Sequence, residues 1–162
     1  MKFHIIILGC PKNVVDSEMM AQLLRQEGHT LVEERDQADL LILNTCAFIG
    51  AAREEAYEML EELAASKKPS QKLIAAGCLP QRYEQGVLHR VPNVDAIIGT
   101  RCWPEITSVV RDLRQEMEDV HYVEKRGNLV ASVRRHAIMG GTAYLKLADG
   151  CDAPCAFCAI PL

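Results

Sequence analysis

Between residues 3 and 117, short apolar runs of strand length alternate with longer segments of helical period, and this alternation commits the chain to a parallel sheet covered by helices. The strand candidates are residues 3–8, 30–33, 40–43, 72–76 and 95–98. Four of these five are nearly all apolar, as strands buried on both faces are. Helices are expected over 14–27, 51–66, from Pro80 to just before Pro92, and over 104–117. In the first, Val15, Met19 and Leu23 share a stripe and Gly28 ends it, while Pro11-Lys12-Asn13 reads as a preceding turn. The second buries Ala52, Ala56, Met59, Leu60 and Leu63 and turns its glutamates to water; the last carries Ile106, Val109, Val110, Leu113 and Met117 along one side.

Right-handed crossovers between five such strands give an α/β, flavodoxin-like doubly wound sheet, for which the strand order 2-1-3-4-5 is expected. This domain occupies residues 1–118. A linker with one short hairpin is expected over 119–141, where the pattern weakens and the charges mix. Residues 142–148 alternate imperfectly and read as a new strand that opens a second, truncated unit over 142–162. The longest apolar runs fall far short of the roughly 20 residues that cross a bilayer, and no cleavable leader opens the chain, so a cytoplasmic protein without membrane contact is expected. A net charge of −4 argues against broad electrostatic capture of nucleic acid. The basic residues Lys125, Arg126, Arg134, Arg135 and Lys146 cluster late, and Arg53 to Glu62 is glutamate-rich; both read as solvated faces.

Cysteine is the residue type with most to say about chemistry. The segment Gly150-Cys151-Asp152-Ala153-Pro154-Cys155-Ala156-Phe157-Cys158 spaces three thiols as C-x3-C-x2-C. Cubane iron-sulfur clusters are held by thiolates, usually four, so a trio suggests a cluster with one iron open to a small molecule. Zinc is the competing occupant. It wants a fourth ligand, for which the nearest candidate is His136.

Three further cysteines fall where the predicted fold gathers them. Cys10, Cys46 and Cys78 each follow a strand, the first, third and fourth, within about three residues of its carboxyl end. Those strands are neighbours about 4.8 Å apart, and ligands of open α/β sheets bind outside that edge. Gly9 and Gly77 precede two of the cysteines and leave room for a bulky inorganic group, while helix amino termini favour its negative charge. Buried cysteine as a small hydrophobe is the alternative, and it is the reading given to Cys102.

With both trios in place, the sequence resembles the radical S-adenosylmethionine (SAM) methylthiotransferases. Leu8-Gly9-Cys10-Pro11-Lys12-Asn13 followed by Asp16-Ser17-Glu18, then Asn44-Thr45-Cys46-Ala47-Phe48-Ile49 and Ala76-Gly77-Cys78-Leu79, are similar to the family's amino-terminal motifs. Cys151, Cys155 and Cys158 match its SAM trio. The Cys-Pro-Lys-Asn and Cys-Ala-Phe-Cys-Ala-Ile-Pro forms side with the branch that methylthiolates an aspartate β-carbon of small-subunit ribosomal protein S-twelve. The tRNA adenosine branch is the alternative, and a non-enzymatic zinc or iron-sulfur module a second.

The resemblance implies that Cys151, Cys155 and Cys158 hold the 4Fe-4S cluster that reductively cleaves SAM, whose radical takes hydrogen from the substrate's β-carbon. It implies that Cys10, Cys46 and Cys78 hold an auxiliary 4Fe-4S cluster carrying the sulfur that is transferred and methylated by a second SAM. A reducing electron donor is then needed, and no direct nucleic-acid contact is expected of these residues. Phe157 has two readings, contact with the cofactor's adenine or an ordinary core position. Family members continue through a barrel and a small β domain, whereas this sequence ends four residues after Cys158. Residues 1–162 are therefore expected to be inactive alone, with the tail after 142 poorly ordered or adventitiously docked.

Overall fold

The computed structural model describes residues 1–123, 135, 143–148, 150, 151 and 153–158. Six strands form one parallel sheet: β1 (Lys2–Ile7), β2 (Thr30–Leu31), β3 (Leu40–Thr45), β4 (Lys72–Gly77), β5 (Ala96–Gly99) and β6 (Val120–Tyr122). Their order is β2-β1-β3-β4-β5-β6, every neighbouring pair parallel. The five-stranded order expected from the alternation is preserved, and a sixth strand is added beside β5. That strand falls in the first residues of the expected linker. Its three residues carry no apolar run, and Tyr122 is tied instead by its hydroxyl to Asp112 at 2.7 Å.

Four helices cover the sheet: α1 (Pro11–Gln26), α2 (Gly50–Ser66), α3 (Cys78–Arg90) and α4 (Ile106–Arg114), the last preceded by a 3-10 turn over Trp103–Glu105. Alternate strand residues divide between two cores. Leu40 and Ile42 pack with Met20, Leu24, Trp103, Ile106 and Val109, whereas Leu41 and Leu43 pack with Ala56, Leu60, Leu63, Leu79 and Val87. Helices α1 and α4 thus lie on one face and α2 and α3 on the other, which is why both strand faces are apolar.

Three details depart from the sequence reading. Pro11-Lys12-Asn13 is not a turn but the first turn of α1, with Pro11 at a position whose missing N–H costs nothing. Of the expected stripe in α1, Val15 is buried but Met19 and Leu23 are only partly so, and the helix buries Asn13, Asp16, Ser17, Glu18, Met20, Ala21 and Leu24 as well. Helix α4 stops at Arg114 because Glu116 takes a φ of 55°, which leaves Met117 52% exposed rather than on the core stripe.

Of the strand expected over 142–148, residues 143–148 form none; among the described residues they pair with no strand. The hairpin expected between 119 and 141, together with His136, Lys125, Arg126 and Arg134, lies outside the described residues. Among the described residues, no helix is long and apolar enough to cross a membrane.

A cysteine edge and its polar support

The carboxyl ends of β1, β3 and β4 are adjacent, and one cysteine follows each. Cys10 is the residue that caps α1, Cys46 comes directly after β3, and Cys78 opens α3. Two of the three thus stand at helix amino termini, where free backbone N–H groups favour negative charge. Cys46 is buried, Cys78 half-buried and Cys10 exposed, so the edge grades from core to solvent.

The three thiols are close enough to influence one another. Burial pushes the Cys78 thiol up from its ordinary value, and the charges of Cys46 and Cys10 push the same way. The Lys12 ammonium and a hydrogen bond with the Thr100 side chain oppose that shift. Lys12 is held for this role by hydrogen bonds from Nζ to Asp16 Oδ2 and to Thr100 Oγ1, both 2.5 Å.

Beneath the edge lies a polar network that the sequence reading did not identify. Asn13 Nδ2 donates to Asn44 Oδ1 at 3.0 Å and to the Thr45 carbonyl at 2.9 Å. Asn44 Nδ2 answers with bonds to the Asn13 carbonyl and to Ser17 Oγ, each 2.9 Å. Asn13 Oδ1 also accepts the Cys10 N–H at 3.3 Å and lies 3.4 Å from its Sγ. Thr45 Oγ1 donates to the Ala76 carbonyl at 2.6 Å and accepts the Leu79 N–H at 3.3 Å, next to Cys78. One network therefore braces all three cysteine loops. Its signal in the sequence is Asn44-Thr45 standing at the end of the wholly apolar run Leu40-Leu41-Ile42-Leu43.

This network gives Gly9 and Gly77 a structural purpose of their own. Both take positive φ, 132° and 97°. A Cβ at Gly9 would come 2.6 Å from Cys46 Cβ and 2.8 Å from Asn13 Oδ1. At Gly77 it would lie 2.5 Å from the Thr45 carbonyl oxygen. The missing side chains make room for the supporting amides and for Cys46 itself.

The second trio stands apart from these supports. Cys151 and Cys155 are exposed and Cys158 half-buried, with the Ala153 N–H 3.4 Å from Cys151 Sγ and the Cys158 N–H bonded to the Cys155 carbonyl at 3.1 Å. Phe157 is 93% exposed, which removes the core reading of that side chain. Cys102 is buried beside Trp103 in the α1/α4 core, in the turn that follows β5.

The donor set at the strand ends is three thiols spread over three strands, and soft thiolate ligands suit iron-sulfur clusters and zinc alike. Zinc wants four donors about a point and a cubane usually four thiolates, so the three thiols of this edge leave either occupant one ligand short. Among the described residues, no three or more His, Cys, Asp or Glu side chains are grouped so as to hold a metal ion.

Fold and edge together define a parallel α/β domain that presents a cysteine trio at the carboxyl ends of its central strands. The chain belongs to the family described as uncharacterized protein family UPF0004, whose model matches residues 2–99, the β1 to β5 portion of the sheet. It is similar to proteins named ribosomal protein uS12 methylthiotransferase RimO. That of Roseiflexus sp. (strain RS-1) is 42% identical over 182 residues, covering 99% of this chain and 38% of the relative. That of Herpetosiphon aurantiacus is 42% identical over 190 residues, with 99% and 40% covered. That of Solibacter usitatus is 41% identical over 166 residues, with 99% and 34% covered. The chain thus spans less than half the length of these curated relatives.

Proposed function

We propose that these residues form the amino-terminal part of a radical-SAM methylthiotransferase acting on an aspartate of ribosomal protein uS12. The observation that carries the reading is the row of Cys10, Cys46 and Cys78 at the ends of three adjacent strands, braced by one polar network. The names borne by the similar proteins support the substrate. The activity is proposed for a protein of the relatives' length, and turnover is not expected of residues 1–162 alone. A cytoplasmic location and a reducing electron donor go with the reading.

In it, Cys10, Cys46 and Cys78 bind an auxiliary 4Fe-4S cluster, and Cys151, Cys155 and Cys158 bind a second, at which SAM docks. When bound, these groups supply the electron and the sulfur that the protein's own side chains cannot. The chain's residues bind and orient. Asn13 and Thr45 fix the loops that carry the thiols, and Lys12 supplies positive charge beside Cys78. Exposed Phe157 remains available to contact the cofactor's adenine.

Anaerobic reconstitution tests the cluster reading. Wild type is expected to take up about eight irons with matching sulfide, and a Cys10, Cys46, Cys78 triple alanine variant about four. Colourless protein with stoichiometric zinc overturns it. A protein of the relatives' length, given uS12 or tRNA as alternative substrates, decides the substrate: methylthiolation of tRNA adenosine instead of aspartate would reject the protein-directed reading.

A further inference from the structure

Helix α1 buries two acidic side chains, Asp16 at 2% exposed and Glu18 at 3%. Burying a carboxylate costs several kcal/mol unless a cation meets it. Lys12, four residues before Asp16 on the same helix, meets one oxygen, Oδ2, at 2.5 Å. The other oxygen is met from 130 residues away, by Lys146 Nζ on Oδ1 at 2.7 Å.

The Lys146 ammonium is itself drawn in, its side chain 14% exposed and placed over the Trp103 ring at 5.8 Å from the centroid. Glu18 is met by Arg135 at 3.5 Å, and the same guanidinium hydrogen-bonds the carbonyl of Tyr144, two residues before Lys146. The neighbours Leu145 and Leu147 point outward and are exposed, so apolar contact does not hold this segment down. Two ion pairs do.

We propose that Asp16 and Glu18 form a two-point docking site on α1 for the segment that runs into the second cysteine trio. Asp16 lies six residues after Cys10 in the sequence, and Lys146 five before Cys151. Its carboxylate is shared between a lysine that acts on Cys78 and a lysine that leads to Cys151, so one side chain sets the placement of the second trio relative to the first. The docking stands on the contacts alone; its purpose, holding two cluster sites in register, rests on the function proposed above. The tail is thereby a specifically seated element and not an adventitious one.

Limited chymotrypsin digestion of the metal-free 162-residue chain tests the docking, with cleavage after Tyr144, Leu145 and Leu147 followed by mass spectrometry. A segment must leave its seat to enter a protease, so the rate tracks the open population. Lys146→Met and Asp16→Asn are each expected to speed cleavage about tenfold or more, and the double variant no further. Lys146→Arg, which keeps the charge, is expected to restore protection, and Glu18→Gln to give a smaller increase.

Because Asp16→Asn alters a buried site in the sheet domain, a folding defect there does not decide the matter; Lys146→Met removes the same pair from the tail side. Cleavage of Lys146→Met at the wild-type rate overturns the proposal. Failure to bind iron would overturn the functional reading and leave this measurement unaffected.

Discussion

Asn13 and Asn44 hold each other by reciprocal hydrogen bonds, side chain to side chain at 3.0 Å and Asn44 Nδ2 to the Asn13 carbonyl at 2.9 Å, across the gap between α1 and β3. Both are about 1% exposed, so neither has water as a substitute partner. Asn44→Ala strips partners from Asn13 and Ser17 together and leaves buried polar groups unsatisfied. A loss of about 2–4 kcal/mol in folding stability is expected from denaturant titration. Asn44→Leu should be no better, since the amide is replaced while its partners stay.

Backbone conformation and crowding separate at two glycines. Gly28 and Gly77 both have positive φ, 82° and 97°, but a Cβ at Gly28 meets nothing within 4 Å whereas one at Gly77 runs into the Thr45 backbone. Gly28→Ala is therefore expected to cost only the backbone strain, about 1–2 kcal/mol. Gly77→Ala adds a clash with backbone that cannot swing aside, and should cost more than about 3 kcal/mol in the same assay. Equal losses at the two positions would contradict the packing described at β3.

Much of this architecture is legible in the sequence because the signals are local. Runs such as Leu40-Leu41-Ile42-Leu43 announce strands buried on both faces, and the spacing of the cysteines after them places three thiols on one edge. The rest depends on partners distant in sequence. β6 joins the sheet by pairing with β5, and Val120–Tyr122 has no apolar run to mark it; its tie to α4 is the Tyr122 hydroxyl on Asp112. Asp16 and Glu18 are both buried in α1, where a periodicity reading looks for aliphatic residues, because cations from residues 135 and 146 come to meet them. Gly9 and Gly77 were recognisable as special, but not that they make way for amides and Cys46.

The Tyr122 hydroxyl donates to Asp112, and this bond, with burial adding to it, pushes the phenol up to about 12. An unfolded tyrosine titrates near 10, so the folded state favours the protonated form. The contribution is fully present below about pH 10 and is lost as pH rises toward 12. Tyr122→Phe should accordingly be less stable than wild type at neutral pH by about 1 kcal/mol, with the difference shrinking between pH 10 and 12. Equilibrium unfolding of the pair across that range measures it; a gap independent of pH would show that the bond to Asp112 does not form.

Thiol reactivity should follow the gradient of the cysteine edge in reduced, metal-free protein. Cys10, Cys151 and Cys155 are exposed and should be alkylated first by iodoacetamide at neutral pH. Cys78 should lag, being half-buried with its thiol pushed up by burial, and Lys12→Met should slow it further by removing the nearby charge that favours the thiolate. Cys46 and Cys102 should react only on unfolding. Mass spectrometry of timed quenches gives the order, and early modification of Cys102 would contradict its place in the core.

Cys102 and Cys10 provide the comparison that separates a packing cysteine from a candidate ligand. Cys102 is 5% exposed among Trp103, Ile106 and the sheet, and its replacement by alanine leaves a small void at a cost of about 1 kcal/mol. Cys10 is exposed, so Cys10→Ala removes little buried surface and should change stability by less than about 0.5 kcal/mol. Iron uptake is expected to reverse the ranking: unchanged in Cys102→Ala, and reduced in Cys10→Ala by up to half, because two thiolates do not hold a cubane as three do. If Cys102→Ala loses iron while keeping its fold, the fourth strand-end thiol belongs to the site and the edge extends one strand further, to the end of β5.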